Sequence, residues 1–450
     1  MNIDDLAWQA GAHGGVPPQT VDLLLAGGHL GVVVQAAGER GDWFCARAAA
    51  RELCEVGDFE QAWGVMKPFA DSGWLPAVSA GADILLRWGR VEEASALALP
   101  AGATGETGET GEACRVYAEV LVRAGRVDEA IAVLEPHLRE RQLLSALVEM
   151  TEGKGRDERV LDLLVPIAEE VRRHQAEGRS HLLWKALDLQ AAVLERSGRV
   201  DEAIRILGAD VATRRYGPEN TVESYAELLA RHGRIEELRQ AVTGGHERTA
   251  LRPLVKALED AGRAREAETM LREFDDTSNH PRFRRSCLME LLARQQRFDE
   301  AVEAVRSTFE EREEGLLYSA VLMLAENGLH ERALQLLEGC SAEFVEENLH
   351  WVPSNRWWLM GETGRCREAI AEVEAVPEQP FVDPATTMAW LLEQDGCEDE
   401  AIDLLRSCAG RNAATALAGL LIKQGRPAEA LAAIPGVTAQ REEARRRRDT

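Results

Sequence analysis

Gly125-Arg126-Val127-Asp128-Glu129-Ala130-Ile131-Ala132-Val133-Leu134 decides how this chain folds. It runs from a turn glycine through an acidic first helical turn to a small residue and then apolar residues on one face. Close copies stand at Gly89-Arg90-Val91-Glu92-Glu93-Ala94 and Gly198-Arg199-Val200-Asp201-Glu202-Ala203, with a looser one at Gly425-Arg426-Pro427-Ala428-Glu429-Ala430. A phrase that returns at this spacing marks a repeat array, in which each unit buries its apolar face against the next.

The turn residue gives a register: Gly28, Gly57, Gly89, Gly125, Gly155, Gly198, Gly233, Gly262, Gln296, Gly328, Gly364, Gly396 and Gly425. The intervals range from 29 to 43 residues and average about 33, room for two short helices and two turns. Glycine at twelve of these thirteen places fits a helix end that needs a left-handed residue. Five residues after the turn comes alanine, at Ala62, Ala94, Ala130, Ala203, Ala267, Ala301, Ala333, Ala369, Ala401 and Ala430. Val33, Val160 and Leu238 replace it in three registers. Nine after the turn the residue is apolar, as at Met66, Leu134, Leu207 and Leu405, and seven before it is often alanine, as at Ala50, Ala118 and Ala226. Positions five and nine share one helix face, so these residues are expected in the core. Acid pairs such as Asp128-Glu129 and Asp299-Glu300 fall where a helix N-terminus favours negative charge.

These residues resemble the tetratricopeptide and pentatricopeptide repeat superfamily, over roughly Val21 to Pro435. The resemblance implies an all-α, right-handed superhelical α-solenoid of about thirteen helix-turn-helix repeats, irregular in detail. Ala118 and Ala191 stand where the tetratricopeptide family usually has glycine. Pro68, Pro100, Pro136 and Pro166 come earlier than the family places one, so the second helices of those units are expected to be short or bent. Residues 1–20 read as an N-terminal cap or fray and 21–436 as the solenoid. Residues 101–112, with Gly-Glu-Thr triplets, read as a mobile loop, 169–181 as an insertion, and 437–450 as a charged tail ending in Arg445 to Arg448.

Composition narrows the partners. The net charge is -25, which repels phosphate backbones and favours a basic protein or peptide. Five lysines against 47 arginines point to a GC-rich, bacterial genome. The eight cysteines form no Cys-x-x-Cys pair and read as reduced apolar fillers. The acidic start, Met1 to Asp5, lacks the pattern of a signal peptide, and no apolar run approaches the ~20 residues of a membrane span. The expected setting is the cytoplasm, without a membrane partner. Gly153-Lys154-Gly155 lacks the rest of a phosphate-binding loop. His174, Glu177 and His181 are the nearest approach to a metal cluster, weakened by Gly178 between them. No enzyme activity, metal or cofactor is expected.

What remains is a binding surface. The resemblance implies that the first helix of each pair lines a concave groove, with positions 13, 10, 6 and 2 before the turn facing inward. One inward pattern is charged: Asp83 with Arg87, Glu119 with Arg123, Glu227 with Arg231, and Glu290 with Arg294. Each is an acid four residues before an arginine, the favourable helical order, and each arginine is also a forked donor for a charged peptide. The other pattern is aromatic: Trp351, Ser354 and Trp358 before Gly364, Trp390 before Gly396, and Tyr318 before Gly328. Trp358 and Trp390 are expected as neighbours that anchor a partner. The primary expectation is a scaffold that holds a protein or extended peptide. Single-stranded RNA recognition by pentatricopeptide-like repeats is the alternative, opposed by the acidic charge, followed by a peptide-sensing regulator.

Overall fold

A computed structural model describes residues 2–12, 14–100, 109–179, 181–213, 218–273, 280–310, 314–375 and 383–448. Among them every regular element is a helix. In chain order they are α1 (Ile3–Ala12), α2 (Pro18–Ala26), α3 (Leu30–Arg40), α4 (Trp43–Glu55), α5 (Phe59–Ala70), α6 (Leu75–Arg87), α7 (Val91–Ala98), α8 (Glu109–Arg123), α9 (Val127–Leu134) and α10 (Arg141–Met150). Then come α11 (Asp157–Ala176), α12 (Ala186–Arg196), α13 (Val200–Thr213), α14 (Pro218–Arg231), α15 (Ile235–Ala241), α16 (Glu247–Asp260), α17 (Ala264–Glu273), α18 (Pro281–Arg294), α19 (Phe298–Glu310) and α20 (Glu314–Glu326). The last are α21 (His330–Glu338), α22 (Ala342–Glu347), α23 (Val352–Glu362), α24 (Cys366–Ala375), α25 (Pro384–Gln394), α26 (Glu398–Ser407), α27 (Arg411–Lys423), α28 (Pro427–Ala433) and α29 (Val437–Arg448).

The helices fall into two compact units. Unit 1 holds residues 1–150 and 364–450, and unit 2 holds 151–363. Within each, helices on either side of a register turn pack as antiparallel hairpins, such as α4 with α5, α12 with α13 and α18 with α19. First helices also stack on first helices, α4 on α6 and α6 on α8 in unit 1, α14 on α16 and α16 on α18 in unit 2. The fold is therefore an irregular all-α array of helical hairpins, in about thirteen repeats.

The turns share one geometry. All thirteen register residues have positive φ, from 60° at Gln296 to 82° at Gly198. In eleven of the thirteen turns, the N–H of the next residue donates to a leucine carbonyl five residues back. Arg126 donates to Leu121 at 2.8 Å, and Arg297 to Leu292 at 3.0 Å. This is the glycine-closed helix end in which orphan carbonyls are satisfied. Gln296 is the one non-glycine with positive φ among the described residues, and its Cβ crowds the backbone there. Replacing Gln296 by Gly is expected to stabilise the chain by about 0.5–1 kcal/mol, the relief of strain offset by greater unfolded-chain freedom. Urea unfolding of the two proteins checks this. A Gly125→Gln variant should move the other way.

The repeat alanines are the core. The ten alanines five residues after the turn, and Val33, Val160 and Leu238 in the remaining registers, are all fully buried at 0% exposure. Only a methyl-sized group, or a larger one at a wider spacing, fits between paired helices that close. Many second helices begin with a recurring ion pair. Arginine directly after the turn pairs with the glutamate three residues on, as in Arg126–Glu129 (2.6 Å), Arg199–Glu202 (2.8 Å), Arg263–Glu266 (2.7 Å) and Arg426–Glu429 (2.5 Å). The carboxylate belongs to the first helical turn, where the helix N-terminus favours negative charge, and the guanidinium pairs with it.

Several expectations need correcting. α7 and α9 are short, eight residues each, but Pro68 and Pro166 lie inside α5 and α11, so those second helices run on. A first-turn or solvent-side proline loses one hydrogen bond without ending a well-packed helix. Residues 1–20 contain α1, whose Leu6 and Gln9 are buried. Of 101–112, residues 101–108 lie outside the described residues and Glu109 already begins α8. Residues 437–448 form α29, anchored by the buried Gln440.

Candidate functional site

In unit 1 the stacked first helices α4, α6 and α8 enclose a groove of ≈ 690 Å³. Trp43, Phe44 and Trp74 give it an aromatic wall, and Arg47, Arg51, Arg87, Arg115 and Arg123 stand along it with Asp83, Glu112 and Glu119. Trp43 is buried, with Trp74 edge-on at 4.7 Å and Phe69 at 6.1 Å. Trp74 and Phe44 keep part of their surface open. α4 starts here because Asp42 caps it, its Oδ1 accepting from Cys45 N–H at 2.9 Å. In unit 2, α14, α16 and α18 enclose a second groove of ≈ 630 Å³. Arg231, Arg248, Arg252, Lys256 and Arg294 line it with Glu223, Glu227 and Glu290. In each groove five cationic side chains face three carboxylates, the reverse of the chain's overall charge.

The arginines expected to face inward, Arg87, Arg123, Arg231 and Arg294, all line these grooves. Their partners differ from expectation. Arg87 bonds Glu55 at 2.9 Å, Arg123 bonds Asp83, Arg231 makes a two-pronged contact with Glu195 at 2.8 and 2.9 Å, and Arg294 bonds Glu259 at 2.8 Å. Each partner belongs to the first helix of the preceding repeat. The same-helix contacts are longer, 3.5 Å for Asp83–Arg87 and 3.9 Å for Glu227–Arg231. Glu119 pairs with Arg115 and Glu290 with Arg252 instead. Stacking at repeat spacing brings a neighbouring helix as near as the next turn of the same one, and the longer arginine side chain reaches across. These are exposed pairs, worth about 0.2–1 kcal/mol each, so a ligand carboxylate can compete for them. Arg47 and Arg248 are exposed and make no ion pair within 4 Å among the described residues.

The electrostatics follow from these contacts. The Arg231 hydrogen bond, and then His232, hold Glu195 below the usual carboxylate range against its burial. Arg115 does the same for Glu112. Burial pushes Glu119 up, with Arg115 and Arg123 offsetting it in part. Burial, then Glu290, raises the Cys287 thiol in the unit 2 groove to about 12, which keeps it protonated and poorly nucleophilic.

The aromatic candidates are arranged differently. Trp351 is buried at 7% exposure, its Nε1 donating to Asn348 at 3.2 Å, with Tyr318 edge-on at 5.1 Å and Phe344 at 6.4 Å. It fills the irregular stretch at α22 and α23 rather than facing a partner. Tyr318 is 39% exposed. Ser354, Trp358 and Trp390 are half-buried, and Trp358 rests on His330 at 5.9 Å. Trp358 lies in unit 2 and Trp390 in unit 1. The polar cluster read as His174, Glu177 and His181 also changes membership. Glu177 pairs with Arg179, and Glu170 takes its place beside the two histidines.

No protein-family model matches this chain. No curated protein matches it either. Among solved structures it is similar to the Naa15/Naa10 complex bound to HypK-THB, at 15% identity over 86% of this chain and 67% of that one, with a TM-score of 0.35. It is similar to the pentatricopeptide repeat protein PPR10 in complex with an 18-nt psaJ RNA element, at 14% identity, 96% and 65% coverage and a TM-score of 0.37. For yeast Tom70 the figures are 10%, 86%, 90% and 0.32. This chain thus spans about two thirds of the first two. No described helix is long and apolar enough to cross a membrane.

Proposed function

We propose that this chain is a non-catalytic scaffold that holds an extended, acidic segment of another protein in the unit 1 groove. One observation carries the reading: five arginines from α4, α6 and α8 converge on an aromatic-walled groove in a chain of net charge -25. Net charge alone favours a basic partner, but recognition is local, and the groove presents forked donors at carboxylate geometry. Trp74 and Phe44 supply apolar contact, which anchors such a segment, while the guanidinium groups set its direction and speed its approach. Arg47, uncommitted to any carboxylate among the described residues, and Arg51, loosely held at 3.5 Å by Glu52, are assigned the first contacts. Phosphate is the other anion an arginine groove accepts, but the chain's net charge of -25 opposes a continuous phosphate backbone more than a short segment in which carboxylates alternate with apolar side chains.

Fluorescence anisotropy tests this with a labelled peptide of alternating glutamate and leucine, a lysine and leucine counterpart, and a single-stranded RNA of mixed sequence. The acidic peptide is expected to bind, more weakly as salt rises. Arg47→Glu with Arg51→Glu should weaken it at least about tenfold, or 1.4 kcal/mol. Both side chains are exposed, so the variant keeps the fold. Tighter binding of the lysine peptide or the RNA, or no change in the double variant, overturns the reading.

A further inference from the structure

We propose that Glu170, His174 and His181 bind one divalent transition-metal ion, zinc being the probe of choice. Glu170 and His174 lie one turn apart on α11 and so share a face. α11 ends at Ala176, and Gly178 takes φ +72°. Arg179 N–H then donates to the His174 carbonyl at 2.9 Å, closing the helix. The chain doubles back and lays His181 over His174, with ring centroids 4.7 Å apart. Gly178, which weakens the cluster if all three residues must share one helix, is what assembles it.

The ligand atoms of the three residues lie within 4.8 Å of one another, and His181 Nε2 is 3.6 Å from Glu170 Oε1. Ligands bound at ~2.0–2.1 Å around a tetrahedral ion stand ~3.3 Å apart, so one edge is nearly formed and small side-chain rotations close the others. The His174 ring is already oriented: its Nδ1 lies 2.9 Å from the Glu170 backbone carbonyl, which places the proton on Nδ1 and leaves Nε2 as a donor to metal. His181 must adjust. Its Nδ1 accepts from Leu183 N–H at 3.1 Å, so in the metal-free chain the proton sits on Nε2, toward Glu170. Binding moves that proton to Nδ1 and exchanges the Leu183 contact, a change confined to residues 181–183. The side chains of His181 and Glu170 are 15% and 21% exposed, which leaves an opening for a water to complete the shell. Two neutral imidazoles and one carboxylate suit zinc, nickel or copper better than calcium or magnesium. The ion would fasten the end of α11 to the turn that leads into α12.

Chelator-stripped full-length chain is titrated with zinc chloride by calorimetry and with cobalt(II) by visible absorption. The expected result is one equivalent per chain with the cobalt bands of a four-coordinate site, and a zinc-dependent rise in Tm. His174→Ala, His181→Ala and Glu170→Gln should each weaken binding more than about tenfold, with unchanged circular dichroism. Glu177→Gln should bind as the parent does. Absence of stoichiometric uptake, equal binding in all three ligand variants, or a cobalt–thiolate band placing the ion on cysteine overturns the proposal.

Discussion

Leu134→Ala is expected to destabilise unit 1 by about 2–5 kcal/mol, and Ala130→Leu by about 1–3 kcal/mol. Ala132→Leu should stay within about 0.5 kcal/mol. Leu134 and Ala130 are fully buried, whereas Ala132 faces solvent. The identical alanine-to-leucine change two residues apart thus separates packing from helix propensity. At Ala130 the added atoms have to enter the buried side of α9, which packs on α8. At Leu134 the removed ones leave a void that rigid helices on either side do not fill. An array held by neighbour contacts loses stability where it is cut, so hydrogen exchange should show amide protection falling first in α8 and α9. Equal exchange in Ala130→Leu and Ala132→Leu chains would show that the repeat alanines are spacers without packing significance.

The same positions explain how much of this molecule its sequence discloses. Turn glycine, buried alanine and buried leucine are local demands of a helical hairpin. They recur wherever the hairpin recurs, and periodicity finds them. Gln296 shows the strength of the register: a residue that disfavours left-handed backbone adopts it at φ 60° because twelve glycines around the array do the same. The Arg126–Glu129 clamp was equally local, and the recurring Gly-Arg-x-x-Glu spacing was its signal. The grooves were only half legible. Spacing placed Arg87, Arg123, Arg231 and Arg294 on helices that line the grooves, but their partners Glu55, Asp83, Glu195 and Glu259 lie one repeat earlier. Such pairing depends on the stagger between stacked helices, which unequal intervals leave open. Trp351 failed for a related reason. α22 is an extra short helix, so positions counted back from Gly364 no longer carry the face they have elsewhere. Glu170 lies one turn before His174 on α11, but only the reversal at Gly178, which brings His181 back over that face, makes it rather than Glu177 their neighbour.

Gln440→Ala is expected to loosen both ends of unit 1 together, at a cost of about 1–3 kcal/mol for the backbone groups it leaves buried and unpaired. Gln440 is 7% exposed. Its Oε1 accepts from Gly15 N–H at 2.9 Å, and its Nε2 donates to Gly15 O at 3.0 Å and to Pro435 O at 2.7 Å. One amide thus replaces the hydrogen-bond partners of a buried loop 425 residues away in sequence. Around it, Arg40 donates to the carbonyls of Leu431 at 2.8 Å and Ile434 at 2.6 Å, and Arg441 pairs with Asp5. Beneath it a single apolar cluster joins Leu24 and Val33 to Leu421 and Ile434, where α2 packs on α27 and α3 on α28. A repeat array ordinarily has two open apolar faces that need polar caps. Within unit 1, α2 and α3 cover α27 and α28, and Gln440 and Arg441 of α29 hold Gly15 and Asp5 along the same seam. Loss of Gln440 should therefore raise hydrogen exchange at Gly15 and Val16, and in α2, α27 and α28 at the same time, while α14 to α18 in unit 2 keep their protection. Arg441→Ala removes a partly exposed pair, 27% and 42% open, and a guanidinium 6.0 Å from the Trp8 ring, and should cost about 0.2–1 kcal/mol. If exchange rises at one end alone in the Gln440 variant, the two ends are held independently and the seam contributes little to the stability of unit 1.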